Sequence, residues 1–130
     1  MSLTLTLLAW SAALLGLYLG PQSLLYRAEH GVKFAAGARD GEPAPQSPYL
    51  QRAEKALRNF LETYPAFIAL AVVIELGHRE SMLSLWGTSL YVGARIAYLP
   101  LYVFGVQYVR SLVWCVSAIG LALLFVAAVG

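Results

Sequence analysis

The chain has 130 residues, of which 59% are hydrophobic and 12% are charged, with a formal net charge of +2. A soluble domain carries about 25% charged residues, and so short a chain cannot bury this much apolar surface in a core of its own. The composition therefore excludes soluble globular and disordered proteins, the single cysteine excludes a disulfide scaffold, and the small charge does not suggest nucleic-acid binding. We expect one membrane domain covering residues 1–130.

Four largely apolar stretches follow one another along the chain, each close to the roughly 20 residues that a membrane helix needs. They predict spans at about residues 3–26, 50–77, 84–102 and 108–129. Segment 27–49 is rich in glycine, proline and charge, which predicts one long loop outside the membrane. The other connections are short, so we expect an all-α, up-down-up-down transmembrane bundle of four antiparallel helices.

Lysine and arginine residues concentrate in or beside the first loop, at Arg27, Lys33, Arg39, Arg52, Lys55 and Arg58. The second connection contains Arg79, and the residues close to both termini include no lysine or arginine. The positive-inside rule therefore predicts that the first loop and the site beside it face the cytoplasm, with both termini on the opposite side.

The second predicted span carries a polar stripe that continues into the membrane. Helical spacing places Arg52, Lys55, Asn59 and Glu62 on one side, with Arg58 beside them. Snorkelling toward lipid headgroups would explain the long side chains of Arg52 and Lys55. It would not explain Asn59 and Glu62, which are too short, so these two are candidate site residues.

The third and fourth predicted spans also carry polar groups. One narrow face of the third span holds Tyr91, Arg95, Tyr98 and Tyr102, at spacings of four, three and four. An interfacial aromatic belt is the alternative interpretation, although a belt collects rings at the ends of a span. Arg110 lies about one turn inside the fourth span, where an ionisable group either anchors the helix end or faces a cavity.

Positive charge is in surplus in this cytoplasmic half: Arg52, Lys55, Arg58, Arg95 and Arg110 stand against Glu54 and Glu62. A surplus of this kind in a partly dry place favours an anionic ligand, and Glu62 could hold an ammonium group on the same ligand. We predict a pocket for a small net-anionic molecule, with lipid or an apolar co-substrate as its other wall. No metal site is expected, because His30 and His78 lie on opposite membrane faces.

Two runs of residues carry a resemblance to a known family. The run Lys55-Ala-Leu-Arg-Asn59-Phe-Leu-Glu62, followed by Tyr64-Pro65, resembles the second-helix signature of the MAPEG family, the membrane-associated proteins in eicosanoid and glutathione metabolism. The run from Arg95-Ile-Ala-Tyr98 through Tyr102 to Arg110-Ser111 resembles its third and fourth helices. The resemblance covers essentially the whole chain. The short loops favour a compact bacterial member, whose membrane would be the bacterial inner membrane.

The resemblance implies a homotrimer that binds glutathione, as co-substrate, between neighbouring subunits. Positions matching Asn59 and Glu62 bind glutathione, the glutamate meeting its amino group, and the same pocket includes Arg58, Tyr98, Tyr102, Lys55 and Arg95. The position matching Arg110 holds the glutathione sulfur as a thiolate, with help from Ser111, and Arg27 is the candidate for an arginine near the end of the family's first helix. Lys55 stands where the family often has arginine, and lysine cannot make the planar bidentate contact.

The function implied is a membrane glutathione transferase or peroxidase, in which the thiolate attacks a hydrophobic electrophile or a lipid hydroperoxide that arrives from the bilayer. One alternative is a non-catalytic binding protein that uses the same pocket for a lipid or another anion. Another is a structural oligomer, in which pairs such as Glu62 with Arg95 close the polar stripes across subunits.

Overall fold

The computed structural model describes residues 2–38 and 46–130, apart from the side chain of Phe34. These residues form α1 (Leu3–His30), α2 (Val32–Ala36), α3 (Pro48–Leu76), α4 (Met82–Val103) and α5 (Val109–Val129). The prediction of an all-α protein with four long helices is confirmed. Three of them, α1, α3 and α5, are long and apolar enough to cross a membrane. Arg39 of the predicted loop lies outside the described residues.

Helix α4 buries most of its polar side chains inside the bundle. Its 22 residues extend about 33 Å at 1.5 Å per residue, enough for a bilayer core of about 30 Å. Composition alone does not mark it as a span. However, Thr88, Arg95 and Tyr98 are buried, whereas Trp86 and Ile96 are exposed. Apart from the exposed Ser89, helix α4 therefore presents an apolar outer face and encloses most of its polar side chains in the bundle.

The segment predicted as one loop, 27–49, is partly helical. Helix α1 continues to His30 and α2 lies inside the segment. Helix α1 ends at Gly31, whose φ of +88° favours glycine. Helix α3 begins at Pro48, where the Ser47 side chain caps the first turn. The loop was predicted from polar residues, but polar residues do not by themselves end a helix. Helix α1 ends only where Gly31 adopts a positive φ.

The long helices run antiparallel to their neighbours, as contacts at both ends show. Ser2 at the start of α1 donates a hydrogen bond to Glu75 at the end of α3, with 2.8 Å between the oxygens. At the other end, the Ser47 hydroxyl before α3 donates to Glu29 over 2.7 Å. Helices α1 and α3 therefore lie side by side over most of their lengths.

A column of stacked aromatic rings fills the space between α1, α3 and α4. Tyr18 stacks on Phe60, Phe60 on Tyr64, Tyr64 on Phe67, and Phe67 on Tyr91, with ring centroids 4.4–6.3 Å apart. The three α3 members recur at helical spacings of four and three, so they form one inward stripe. This column is a rigid support for the polar residues that α3 and α4 carry beside it.

Helices α4 and α5 meet backbone to backbone at Gly87 and Gly120. A Cβ atom at Gly87 would lie 2.8 Å from the Gly120 carbonyl oxygen, and one at Gly120 would lie 2.8 Å from the Gly87 carbonyl oxygen. Small residues of this kind let membrane helices approach closely. At the far end of the same pair, Arg110 on α5 lies over the Tyr102 ring on α4. The glycine contact therefore sets the distance between the two helices that carry these side chains.

Candidate functional site

Arg95 is fully buried between α3 and α4. Its Nη1 donates to Asn59 Oδ1 over 2.7 Å, and its Nη2 donates to Thr63 Oγ1 over 3.1 Å. The guanidinium carbon lies 5.6 Å from the centroid of the Tyr91 ring and 5.0 Å from that of Tyr98. Among the described residues all these partners are neutral, so the positive charge of Arg95 is not cancelled by a carboxylate.

A cavity of about 280 Å³ lies beside this cluster, and we call it the arginine cavity. Helices α3, α4 and α5 line it with Asn59, Tyr98, Tyr102, Arg110, Ser111, Trp114 and Cys115. The Arg110 guanidinium carbon is 4.5 Å from the centroid of the Tyr102 ring. Such a cation–π contact holds the guanidinium in place without neutralising it.

The arginine cavity has a positively charged lining that is rich in hydrogen-bond donors. Its lining includes an arginine, three hydroxyl groups and an asparagine, but no carboxylate among the described residues. Within residues 2–38 and 46–130, the Tyr102 ring is the partner of the Arg110 guanidinium, and no acidic side chain pairs with it. An unpaired arginine in a partly desolvated cavity is a strong binding group for an anion.

A second cavity, the outer groove, has a volume of about 550 Å³ and lies between α1 and α3. Its lining residues are Gln22, Glu54, Leu57, Arg58, Leu61 and Glu62. It contains two carboxylates and one guanidinium, so it can meet a ligand group of either sign. Glu62 of the outer groove and Asn59 of the arginine cavity are less than one helical turn apart on α3. The two cavities are thus neighbours on α3.

Comparison with known proteins decides the family. The model of the MAPEG family matches residues 6–130, which is nearly the whole chain. The chain belongs to the MAPEG family. No curated protein and no solved structure matches it.

Family membership identifies this MAPEG protein as an integral membrane protein of the glutathione and eicosanoid group, a family that includes glutathione transferases and peroxidases. The resemblance that the two sequence runs carried is therefore confirmed.

The structure divides the predicted site residues of this MAPEG protein into groups. Asn59, Tyr98, Tyr102, Arg110 and Ser111 come together in the arginine cavity. Arg58 and Glu62 come together in the outer groove.

Three predicted site residues line neither cavity. Lys55 is exposed on α3, and Arg27 is exposed near the end of α1, where its Nη1 donates to the carbonyl of Ser23 over 3.2 Å. Arg95 bonds Asn59 but does not itself line the arginine cavity, and it is fully buried within its own chain. The pairing of Arg95 with Glu62 of another subunit, which a purely structural oligomer would use, is therefore disfavoured.

Sequence reasoning did not select several residues that shape the site. Gln22 reaches the outer groove from α1, and the signal was available, since it is an amide directly after Pro21 in an otherwise apolar span. Thr63 accepts a hydrogen bond from Arg95, and its hydroxyl also bonds the Tyr91 hydroxyl over 2.9 Å. Its side chain is one turn from Asn59, so the helical period could have indicated it.

Arg52 has a role that the stripe alone did not predict. Its Nη1 donates to the Val103 carbonyl over 3.4 Å at the end of α4. A Cβ at Gly105, whose φ is +71°, would lie 2.8 Å from the Arg52 guanidinium carbon. Arg52 is therefore packed against the α4–α5 connection rather than extended toward lipid headgroups.

Proposed function

We propose that this protein is a membrane-bound glutathione-dependent transferase or peroxidase that acts on hydrophobic electrophiles or lipid hydroperoxides. The observation that carries the proposal is the arginine cavity. Residues of α3, α4 and α5 converge there around an arginine that has no acidic partner in the described chain. Five of the lining residues match positions that the family resemblance assigns to glutathione or to its thiolate: Asn59, Tyr98, Tyr102, Arg110 and Ser111.

The chemistry of the two cavities fits the groups of glutathione, which carries two carboxylates, one ammonium and one thiol. Asn59 and the hydroxyls of Tyr98 and Tyr102 can donate to a carboxylate. Glu62, at the neighbouring outer groove, can accept from the ammonium. Arg110 then remains for the sulfur, with the Ser111 hydroxyl beside it.

Arg110 would do the chemical work by favouring the thiolate, because a cation beside a thiol lowers its pKa and the thiolate is the nucleophile. In the transferase reaction the sulfur electron pair forms a bond to the electrophilic carbon, and the leaving group departs with its own electron pair. In the peroxidase reaction the thiolate sulfur attacks the terminal hydroperoxide oxygen and the O–O bond breaks, which gives a sulfenic acid and a lipid alkoxide. The alkoxide takes a proton from water and becomes the lipid alcohol. A second glutathione then converts the sulfenic acid into glutathione disulfide and water.

The site is completed by assembly in this proposal. The arginine cavity of a single chain holds about 280 Å³, at the lower limit of the roughly 300–1,000 Å³ that small-molecule sites occupy. A homotrimer would supply the missing wall from a neighbouring subunit. The positive-inside rule predicts that the first loop and this end of the bundle face the cytoplasm, where glutathione would enter.

The test compares Arg110→Ala with Arg79→Ala, a matched control at an exposed arginine at the opposite end of the bundle. Glutathione binding is measured by calorimetry in detergent, and turnover is measured with an activated aryl halide and with a lipid hydroperoxide. We expect Arg110→Ala to lower turnover about a hundredfold, comparable to the loss of one charge-stabilising donor, and to bind glutathione still. Arg79→Ala should behave as the unaltered protein.

Two results would contradict the proposal in different ways. If the unaltered protein binds glutathione but turns over neither substrate, the protein is a binding protein rather than an enzyme. If it does not bind glutathione, the cavity serves another anion or a lipid, and Lys55, which replaces the family's arginine, is the first residue to examine.

A further inference from the structure

The side-chain amide of Asn59 has a direction that its surroundings impose. A guanidinium can only donate hydrogen bonds, so the 2.7 Å contact with Arg95 Nη1 must engage the Asn59 oxygen, Oδ1. The amide nitrogen, Nδ2, therefore points away from Arg95. Asn59 also lines the arginine cavity, and no described residue accepts a hydrogen bond from Nδ2.

The Asn59 amide nitrogen is not enclosed by the protein. Buried polar atoms without a partner in the described residues include Arg95 Nε but not Asn59 Nδ2. Within the described residues, Nδ2 is therefore neither hydrogen-bonded nor buried. We infer that Arg95 is a positioning residue, which fixes Asn59 so that the arginine cavity sees an N–H donor and never a carbonyl oxygen.

This orientation determines which ligand groups the cavity accepts. An asparagine with free rotation can serve as donor or acceptor, whereas Asn59 held by Arg95 can only donate. Together with the Arg110 guanidinium, it makes this wall selective for hydrogen-bond acceptors such as a carboxylate. The inference rests on the proposed function for the identity of the ligand, glutathione, but the direction of the amide does not depend on it.

The buried charge of Arg95 explains why an asparagine is used in place of an aspartate. An aspartate at position 59 would pair with Arg95, satisfy the buried charge and remove the only donor that α3 offers the cavity in the described structure. The asparagine leaves the positive charge uncancelled, so it continues to attract an anion to the neighbouring cavity. The Asn59→Asp variant should therefore separate fold stability from ligand binding.

The experiment measures calorimetric binding of glutathione and thermal unfolding without ligand. Asn59→Asp should keep or raise the unfolding temperature, because Arg95 gains a carboxylate partner. The same variant should weaken glutathione binding at least about tenfold, because a donor to a charged group is replaced by a like charge. Thr88→Val is the matched control: it removes a buried α4 hydroxyl that bonds the Ser84 carbonyl and lines neither cavity, so it should change affinity less than about threefold.

The outcomes distinguish this inference from the proposed function. If Asn59→Asp binds glutathione as tightly as the unaltered protein, Asn59 does not donate to the ligand and the inference is overturned, while the proposed function stands. If the unaltered protein does not bind glutathione, the proposed function fails. The unfolding temperatures of the variants without ligand then still test whether the Asn59 oxygen faces Arg95. Asn59→Asp should then stabilise the protein when Arg95 is present and destabilise it in combination with Arg95→Gln. The same sign in both backgrounds would overturn the inference.

Discussion

At the scale of single residues, the site depends on two arginines in different surroundings. Arg95 is fully buried and acts on its own chain, whereas Arg110 is partly exposed in a cavity and lies over the Tyr102 ring. The difference decides their roles, because a buried guanidinium can orient a neighbour and a cavity-facing one can bind a ligand. Neither residue type nor spacing along the chain distinguishes them.

The contact between Arg110 and Tyr102 gives a prediction with a matched pair of variants. Tyr102→Phe keeps the ring below the guanidinium, and Tyr102→Leu removes it. We expect the leucine variant to bind glutathione about 2- to 30-fold more weakly than the phenylalanine variant, since a cation–π contact contributes about 0.5–2 kcal/mol. Calorimetry measures both, and equal affinities would show that the ring does not hold Arg110.

At the scale of helices, the geometry of the site depends on how closely α4 and α5 pack. Gly87 and Gly120 bring the two backbones into contact, and Arg52 packs against the connection that follows α4. These contacts place Tyr98 and Tyr102 on α4 opposite Arg110 on α5. Gly87 and Gly120 contribute no reactive group, but their contact determines how close the two helices lie.

The glycine contact predicts opposite effects for two similar substitutions on α4. Gly87→Ala places a methyl group 2.8 Å from the Gly120 carbonyl oxygen, so it should destabilise the protein by about 1–3 kcal/mol. Gly93→Ala meets open space within 4 Å, so it should be neutral or stabilise by about 0.5–1 kcal/mol, as alanine does in a helix. Thermal unfolding in detergent tests both, and a Gly87→Ala protein as stable as the unaltered one would refute the close packing.

The helical spacing of the sequence predicted much of this arrangement and left a defined part open. It placed Tyr98 and Tyr102 on one face with Arg95, and all three lie on the α4 face toward α3 or α5. The spacing could not predict that Asn59 and Glu62 line different cavities. The two residues differ by only about 60° around α3, and the boundary between the cavities depends on where α4 packs. The spacing also could not place Arg52, whose partner lies 51 residues away.

At the scale of the whole molecule, the proposed function calls for a unit larger than one chain. The bundle exposes large apolar side chains such as Trp10, Leu61 and Leu112, which suit lipid or a neighbouring subunit. The arginine cavity is small for a tripeptide when one chain forms it. Both features fit a homotrimer with glutathione between subunits.

The assembly can be measured on its own. Native mass spectrometry of the detergent-solubilised protein should give a particle of three chains, and glutathione should add in proportion to the number of subunits. A particle of one chain that binds glutathione with undiminished affinity would contradict the proposal that a neighbour completes the site.

Arg110 is proposed to hold glutathione as a thiolate, and the ultraviolet absorbance of the thiolate as a function of pH tests this role most directly. Glutathione is titrated with the unaltered protein, with Arg110→Ala, and without protein, and S-methylglutathione, which lacks the ionisable thiol, provides the baseline. Because a neighbouring cation stabilises the charged form, the bound thiol should ionise at a lower pH than free glutathione. Arg110→Ala should return the midpoint to that of the free molecule. Bound glutathione that ionises at the same pH as free glutathione in the unaltered protein would contradict the account.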